Sequence, residues 1–500
     1  MLLIKYLNHQ KTNKINLVAK NLRMKFKDNN SKERSKSFLA FICFIASLGG
    51  LLFGFDTAVI SGTFNLVEQY FSLNEIEVGW FASSALIGAI IGAFLSGVLS
   101  DKYGRKPILM IASLLFFVSA FASTFPPSFA FLIFARLVGG IGVGMASVLA
   151  PLYISEFSPP KIRGKLVALY QLSIVIGILM AYFSNWILLE FSQESLSSFS
   201  GSELFHKILV LEVWRAMFGF EMIPSGLFIL LLFLIPESPR WLIKNNQSEK
   251  GYKILVRISG TIAANKEFKE IKDSINNYKG KLGDLLKPGF RLALLVGVGL
   301  SVFGQFTGVN IIIYYGPTIL ENAGFKLDGA LQFQIAIGLI NLIFTIFALW
   351  KIDSWGRRPL LVYGMSSVFI SLMIIAFQFT FDSTNGIWIV IMLCIYMASL
   401  ALSINAVIWV LIGEIFPNRI RGTAMSIATF ANWGANFLTA FIFPWFVDKI
   451  GVGGGFFTFA GMCLIATIFF YRYVPETKGK SLEEIENYWS SSSTKKNSSK

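Results

Sequence analysis

The chain holds two histidines and three cysteines in 500 residues, and charged side chains make up only 15% of it. Cys43, Cys394 and Cys463 all lie in apolar runs, too few and too separated for a disulfide framework or a thiolate metal site, and read as small buried hydrophobes. His9 sits in a basic arm and His206 near a loop, so no apolar run carries the side chain that most readily moves protons near neutral pH. Interior residues offer no nucleophile and base pair and no metal constellation, which disfavours an enzyme and implies no cofactor. Nucleic-acid-binding motifs are missing as well, although the formal net charge is +15.

Hydrophobic residues are abundant instead, at 54%, with a mean hydropathy of +0.62. Runs long enough to cross a hydrocarbon layer of ~30 Å recur along the chain. Spans are predicted near 38–60, 78–100, 108–125, 128–152, 165–189 and 214–235, then near 291–320, 331–350, 359–381, 386–412, 423–447 and 455–474. They lack the alternation of barrel strands, and lipid leaves no partner for an open sheet edge, so they are helices. The expected fold class is an all-α membrane protein of twelve transmembrane helices in two pseudo-symmetric six-helix bundles.

Positive charge gathers in the arm 1–37, in the turn around Asp101–Lys106 and in the stretch from Arg240 to Arg291. All three fall on one side if the odd spans run outward, and the positive-inside rule makes that side cytoplasmic, with both termini. The +15 charge then reads as topology and contact with anionic lipid headgroups. The arm lacks a cleavage pattern, so the first span is its own insertion signal. The expected organisation is a basic arm 1–37, a bundle 38–240, an amphipathic helical linker 241–290, a bundle 291–475 and a tail 476–500, with low-complexity "SSSTKKNSSK" at its end.

The halves repeat. "GVLSDKYGRKP" (97–107) is answered by "WKIDSWGRRP" (350–359), and "SEFSPPKIRG" (155–164) by "GEIFPNRIRG" (413–422). Asp353 follows Asp101 by 252 residues, and Glu414 and Arg421 follow Glu156 and Arg163 by 258. Two motifs in one order at nearly one offset mark a duplication, the architecture that lets one bundle rock against the other around a central site.

With "PESPRWL" (236–242), "GQFTGVNIIIYY" (304–315) and "PETKGKSLEE" (475–484), these motifs resemble the sugar porter family of the major facilitator superfamily from about Phe38 to Leu482. "GFDTAVISGT" and "GGIGVGMASVLAPLYISEF" are most similar to bacterial proton-coupled xylose and other monosaccharide symporters. The resemblance implies a monosaccharide or polyol substrate, protons and membrane lipids as partners, a monomer, and a plasma membrane, bacterial inner membrane included. A passive facilitator, a sugar sensor and a carrier of another small solute are the alternatives; a sensor would need an output domain, and the tail after Glu484 is short.

A sugar carries many hydroxyls and no charge, so its site needs amides and aromatic faces. Helical position offers Gln171, Gln305, Asn310, Asn341, Asn405, Trp409, Asn432 and Trp433; of these Gln171, Gln305, Asn310, Asn341 and Trp409 match family sugar contacts, with Phe53, Tyr314 and Tyr315 as wall residues. Polar residues in spans also serve as glue between helices. Departures from the family pattern are Ile178 for a glutamine, Gly304 ahead of Gln305 in place of a glutamine pair, Asn405 for a glycine and Asn432 for a glutamine, so xylose specificity does not carry over.

Asp101, Arg105, Glu156, Arg163, Asp353, Arg357, Glu414 and Arg421 sit at cytoplasmic helix ends, where charges on facing bundles can pair when the inner side closes and separate when it opens; the alternative is that they only anchor helix ends. The resemblance makes them a cytoplasmic gate, joined by Glu237 and Glu476 of the two "PE" motifs.

Asp56 lies inside a span, where an acid costs roughly 2.5 kcal/mol or more unless it pairs, protonates or meets water. Arg136 is the basic residue well inside another N-terminal span, and packing the first span on the fourth joins them. A pair whose hydration or spacing changes with conformation can take up and release a proton; the alternative is a static ion pair. Family facilitators commonly lack this acid, and the resemblance adds Glu221 of the sixth span, so the expectation is proton coupling through Asp56, Arg136 and Glu221.

Overall fold

The computed structural model describes residues 36–159, 162–196, 201–276, 290–381, 385–416, 421–480, 484–485 and 488–489, without the side chains of 274–276 and 421–423. The basic arm before residue 36, linker residues 277–289, the side chain of Arg421 and the last eleven residues lie outside the described residues.

Eleven helices among the described residues are long and apolar enough to cross a membrane. The longest, Ala424–Tyr473, holds two spans, because Gly451 interrupts it with a φ of 71° that an L side chain rarely adopts. Twelve transmembrane helices result: Lys36–Gly62, Glu75–Tyr103, Arg105–Thr124, Phe129–Phe157, Arg163–Ser195 and Val213–Phe233 in the first half, then Phe290–Asn322, Leu327–Trp355, Arg357–Thr380, Gly386–Ile415 and the two segments either side of Gly451. Large apolar side chains such as Phe44, Phe94, Phe134, Tyr363 and Phe430 point outward, which only a lipid environment satisfies on this scale.

Local chemistry sets the ends. Asn74 starts the second span with a capping box: its Oδ1 accepts the N–H groups of Ile76 and Glu77 at 3.1 and 3.0 Å, and the Glu77 carboxylate accepts the Asn74 N–H at 3.0 Å. Close approach is bought by small residues in "GGIGVG": a Cβ on Gly140 would stand 1.9 Å from the Ala85 carbonyl oxygen, so the fourth span lies directly on the second.

Two spans are broken near their middles, the seventh between Gln305 and Val309 with Gly308 at φ 81° and the tenth at Ser403, whereas the sixth is only distorted between Gly219 and Met222, where Phe220 and Glu221 keep right-handed helical angles. A freed carbonyl in lipid needs a donor, and the Tyr396 hydroxyl supplies one to Thr307 O at 3.0 Å. Broken spans deliver non-helical backbone to the bundle interior, where it lines a site.

Between the halves run the short helix Pro239–Lys244 and the helix Ser248–Asn276, kinked at Gly260 (φ 77°), with their own small core of Ile243, Leu255, Ala264 and Ile271. Contacts that join the halves gather at mid-depth and at the face away from this linker. Phe64 stacks on Tyr315 at 4.4 Å, Thr318 donates to Asn65 at 3.2 Å, Asn65 also donates to Glu321, and Trp80 packs on Phe441 at 5.3 Å. The same face holds a cavity of about 230 Å³ between the halves, lined by Phe64, Asn65, Tyr315, Thr318 and Phe443 among others.

Candidate functional site

In the first half, Arg136 of the fourth span reaches Asp56 of the first: Nη1 donates to Asp56 Oδ1 at 2.7 Å and Nη2 to the Asp56 carbonyl oxygen at 3.1 Å. The sixth span brings Glu221 within electrostatic reach of both. Asp56, Arg136 and Glu221 are 1%, 2% and 1% exposed, so two carboxyls and one guanidinium share a site shut off from solvent. Asp56 Oδ2, Arg136 Nε and Glu221 Oε1 have no hydrogen-bond partner among the described residues. Phe218 covers the guanidinium at 5.5 Å. Across the halves, Tyr314 of the seventh span stands close enough to feel the charges of Arg136 and Asp56, and its hydroxyl accepts from Asn436 at 3.3 Å.

The second half supplies amides. Asn310 donates to Gln305 Oε1 at 2.5 Å, and Gln305 Nε2 donates to Asn432 Oδ1 at 2.8 Å, a chain drawn from both parts of the broken seventh span and from the eleventh. Trp433, 5% exposed, meets Phe53 of the first half with ring centroids 5.5 Å apart. Trp409 is 40% exposed, while Gln171 and Asn405 are half-buried and make no hydrogen bond among the described residues. Asn341 is buried and accepts from Thr345, one turn along its own helix, at 3.4 Å. Tyr315 is buried between Phe64 and Phe443, with its hydroxyl on Ala440 O at 3.1 Å, and lines the cavity between the halves on the face away from the linker.

At the charged face the pattern repeats. Arg105 Nη2 binds Glu156 Oε1 and Nη1 binds Asp101 Oδ1, both at 3.1 Å; Arg357 Nη2 binds Glu414 Oε1 at 3.0 Å and Asp353 Oδ1 at 2.9 Å. No ion pair among the described residues at this face joins the two bundles, and Lys244 of the linker pairs with Asp101 at 3.0 Å. The inter-bundle pairing expected of these charges is thus not seen among the described residues, where each arginine meets acids of its own bundle; the side chain of Arg421 lies outside them. Arg163 donates to the carbonyl of Ser158, 3.3 Å from Nη2, and faces Glu267 of the linker.

The two "PE" acids act on backbone. Glu237 accepts the N–H groups of Arg105 and Lys106 at 3.0 and 3.2 Å, and Glu476 those of Arg357 and Arg358 at 3.1 Å each, so each carboxylate caps the helix after the charged turn. Gly104 (φ 107°) and Gly356 (φ 90°) make this possible, since a Cβ would stand 2.3 and 2.7 Å from the two carboxylates. Burial pushes the Glu237 carboxyl above its ordinary range despite these N–H donors. For Glu476, burial acts the same way but is outweighed by four backbone N–H donors, which hold it below that range.

Sequence reasoning passed over the residue after each acid. Ser238 donates to Glu156, and Thr477 donates to Glu414 Oε2 at 2.6 Å, so both hydroxyls tie the motif to the charge cluster. The parallel "PES" and "PET" was the available signal. Trp489, fully buried with its Nε1 on Ile415 O at 3.0 Å, had no such signal; it packs the chain beyond the twelfth span against the end of the tenth.

A duplicated twelve-helix frame around buried polar groups defines a secondary transporter of the major facilitator fold. A family model described as "Sugar (and other) transporter" matches residues 42–489. The arabinose-proton symporter of Bacillus subtilis (strain 168) is 39% identical over 460 residues, covering 92% of this chain and 97% of that protein. The D-xylose-proton symporter of Escherichia coli (strain K12) is 38% identical over 490 residues, covering 91% and 96%. The solved inward-open xylose transporter of E. coli gives a TM-score of 0.77 at 36% identity, covering 90% of this chain and 100% of that one. The proton:xylose symporter bound to 6-bromo-6-deoxy-D-glucose gives 0.74 at 37% identity, covering 91% and 100%. The chain belongs to the sugar transporter family: it is a multi-pass membrane transporter and not an enzyme.

Proposed function

We propose that the protein carries a monosaccharide or polyol into the cell together with a proton, by alternating access, with Asp56 as proton carrier. The single observation that carries this reading is the buried Asp56 and Arg136 pair with Glu221 beside it. Two carboxylates against one guanidinium leave one negative charge uncompensated in lipid, and one bound proton removes it. Tyr314 links this site to the amide wall, so sugar-driven movement of the seventh span changes the surroundings of the acid. The amide chain Gln305, Asn310 and Asn432, with Gln171, Asn341, Asn405, Trp409, Trp433 and Phe53 around it, binds the hydroxyls and ring face of the substrate. The named symporter relatives support coupling.

By the positive-inside rule the charged face is cytoplasmic, likeness to the inward-open xylose transporter supports an inward-facing state, and uptake into the cell implies a plasma membrane. The charged clusters then bias the opposite state when Arg163 and Arg421 meet acids across the closed inner side. In proteoliposomes, Asp56→Asn abolishes sugar-dependent proton uptake and uphill accumulation while sparing sugar counterflow. Undiminished uphill accumulation by that variant removes the proposal, and a native chain that moves sugar without protons is a facilitator.

A further inference from the structure

Where the ends of the first and sixth spans meet the linker helix, a cavity of about 370 Å³ opens at the charged face. Its inner wall is apolar, built from Phe38, Leu234 and Pro236, and Leu234 is 63% exposed on the lipid-facing side of its span. Its outer wall is cationic, built from Lys253 and Arg257 of the linker. The Arg257 guanidinium lies over the Phe38 ring at 3.6 Å and forms no ion pair among the described residues. Lys253 shares Glu249 at 2.6 Å, an exposed partner with much of its charge screened by water. Lys36, exposed, stands two residues before Phe38 at the same edge. None of these groups belongs to the substrate site or the charged clusters.

We infer that this cavity is a binding site for an anionic phospholipid, its phosphate held between Arg257 and Lys253 and one acyl chain laid along Leu234. The physical case rests on the juxtaposition. An arginine fixed over an aromatic ring keeps its edge free for bidentate contact with a phosphate, which a lysine point charge does not offer. A basic pocket at the membrane boundary between spans suits an anionic headgroup, and the apolar wall continuing onto a lipid-facing surface selects a lipid over a free anion. Occupancy pins the linker helix to the first half at the bilayer surface, through Phe38 and the end of the sixth span.

Native mass spectrometry of the purified full chain, titrated separately with phosphatidylglycerol, phosphatidylcholine and inorganic phosphate, tests this. The native chain binds one phosphatidylglycerol in preference to phosphatidylcholine, and millimolar phosphate does not displace it. At ~1 kcal/mol per cation, the Lys253→Ala, Arg257→Ala double variant loses about 30-fold in phosphatidylglycerol affinity, with phosphatidylcholine adducts unchanged. Arg257→Lys retains a measurable preference, and sugar counterflow in each variant reports a folded transporter. Equal binding of the two lipids by the native chain, unchanged affinity in the double variant, loss in Arg257→Lys as complete as in the double variant, or displacement by phosphate each overturns the inference.

Discussion

The two halves share a frame and a charged-face cluster but differ in what they bury. The first half encloses Asp56, Arg136 and Glu221; the second encloses Gln305, Asn310, Asn341, Asn432 and Asn436, and no ionisable carboxyl or cation at the depth of these amides among the described residues. Charge chemistry in lipid is costly and gives a switch, whereas amide chemistry is cheaper and gives recognition. Duplication supplied two equal bundles, and substitution of interior residues made one a proton half and the other a hydroxyl-reading half. Tyr314 is where they meet.

The largest break in that contrast is expected from removing one member of the buried pair. Arg136→Leu leaves Asp56 unpaired and costs about 3 to 5 kcal/mol, read as a fall in the unfolding midpoint in detergent; pairing it with Asp56→Leu restores most of the loss. A double variant no more stable than the single shows that the pair is not what the first half protects.

An amide removed from the second half has a smaller effect of a different kind. Asn432→Leu leaves Gln305 Nε2 without its partner at a cost of ~1 to 3 kcal/mol, so sugar affinity in a binding assay drops between about five- and 150-fold while the proton-to-sugar ratio stays the same. A changed ratio would join the two halves' tasks. Tyr314→Phe deletes only the bond from Asn436, worth about 0.5 to 1.5 kcal/mol, and shifts the half-saturating sugar concentration less than about 15-fold. Because Tyr314 lies within electrostatic reach of Arg136 and Asp56, its pH profile for uptake moves too, and an unmoved profile removes Tyr314 as the link.

The smallest effect sits at the charged face, where the repeat holds but the titration differs. Glu476, held below the ordinary range, contributes stability that is present above that range and lost as pH falls through its lowered value. Glu237, pushed above it, works in the opposite direction: its contribution is present below the ordinary carboxylate value and lost as pH rises through the raised one. Acid unfolding scans of Glu476→Gln are therefore flatter below about pH 4.5 than those of the native chain, and Glu237→Gln scans are not.

Hydropathy alone was enough for the spans, because a bilayer imposes a length and forbids unpaired backbone. The repeat was legible because it is written in charged turns whose spacing survives divergence. Asp56 and Arg136 were readable as partners since each is the odd residue in its span and neighbouring spans pack. Less legible was the setting of Tyr315, whose contact with Phe64 of the first half and Phe443 of the second depends on how the halves meet. The pairing of Arg105 with Glu156 and of Arg357 with Glu414 inside their own bundles was equally hidden, because linear spacing does not say which of two bundles lies closer to a charge.

By itself the sequence determined the number of spans, the duplication, the charged face and the presence of an acid and a base inside the first half. Those properties follow from composition and periodicity, which act locally along a helix. Tertiary structure decided that Glu221 joins the pair from the sixth span, that Gln305, Asn310 and Asn432 form one hydrogen-bonded chain, and that Ser238, Thr477 and Trp489 fasten the charged face. It also decided on which face the halves touch. Each of these depends on distances between residues far apart in the chain, set by how two bundles of nearly equal design lean on one another.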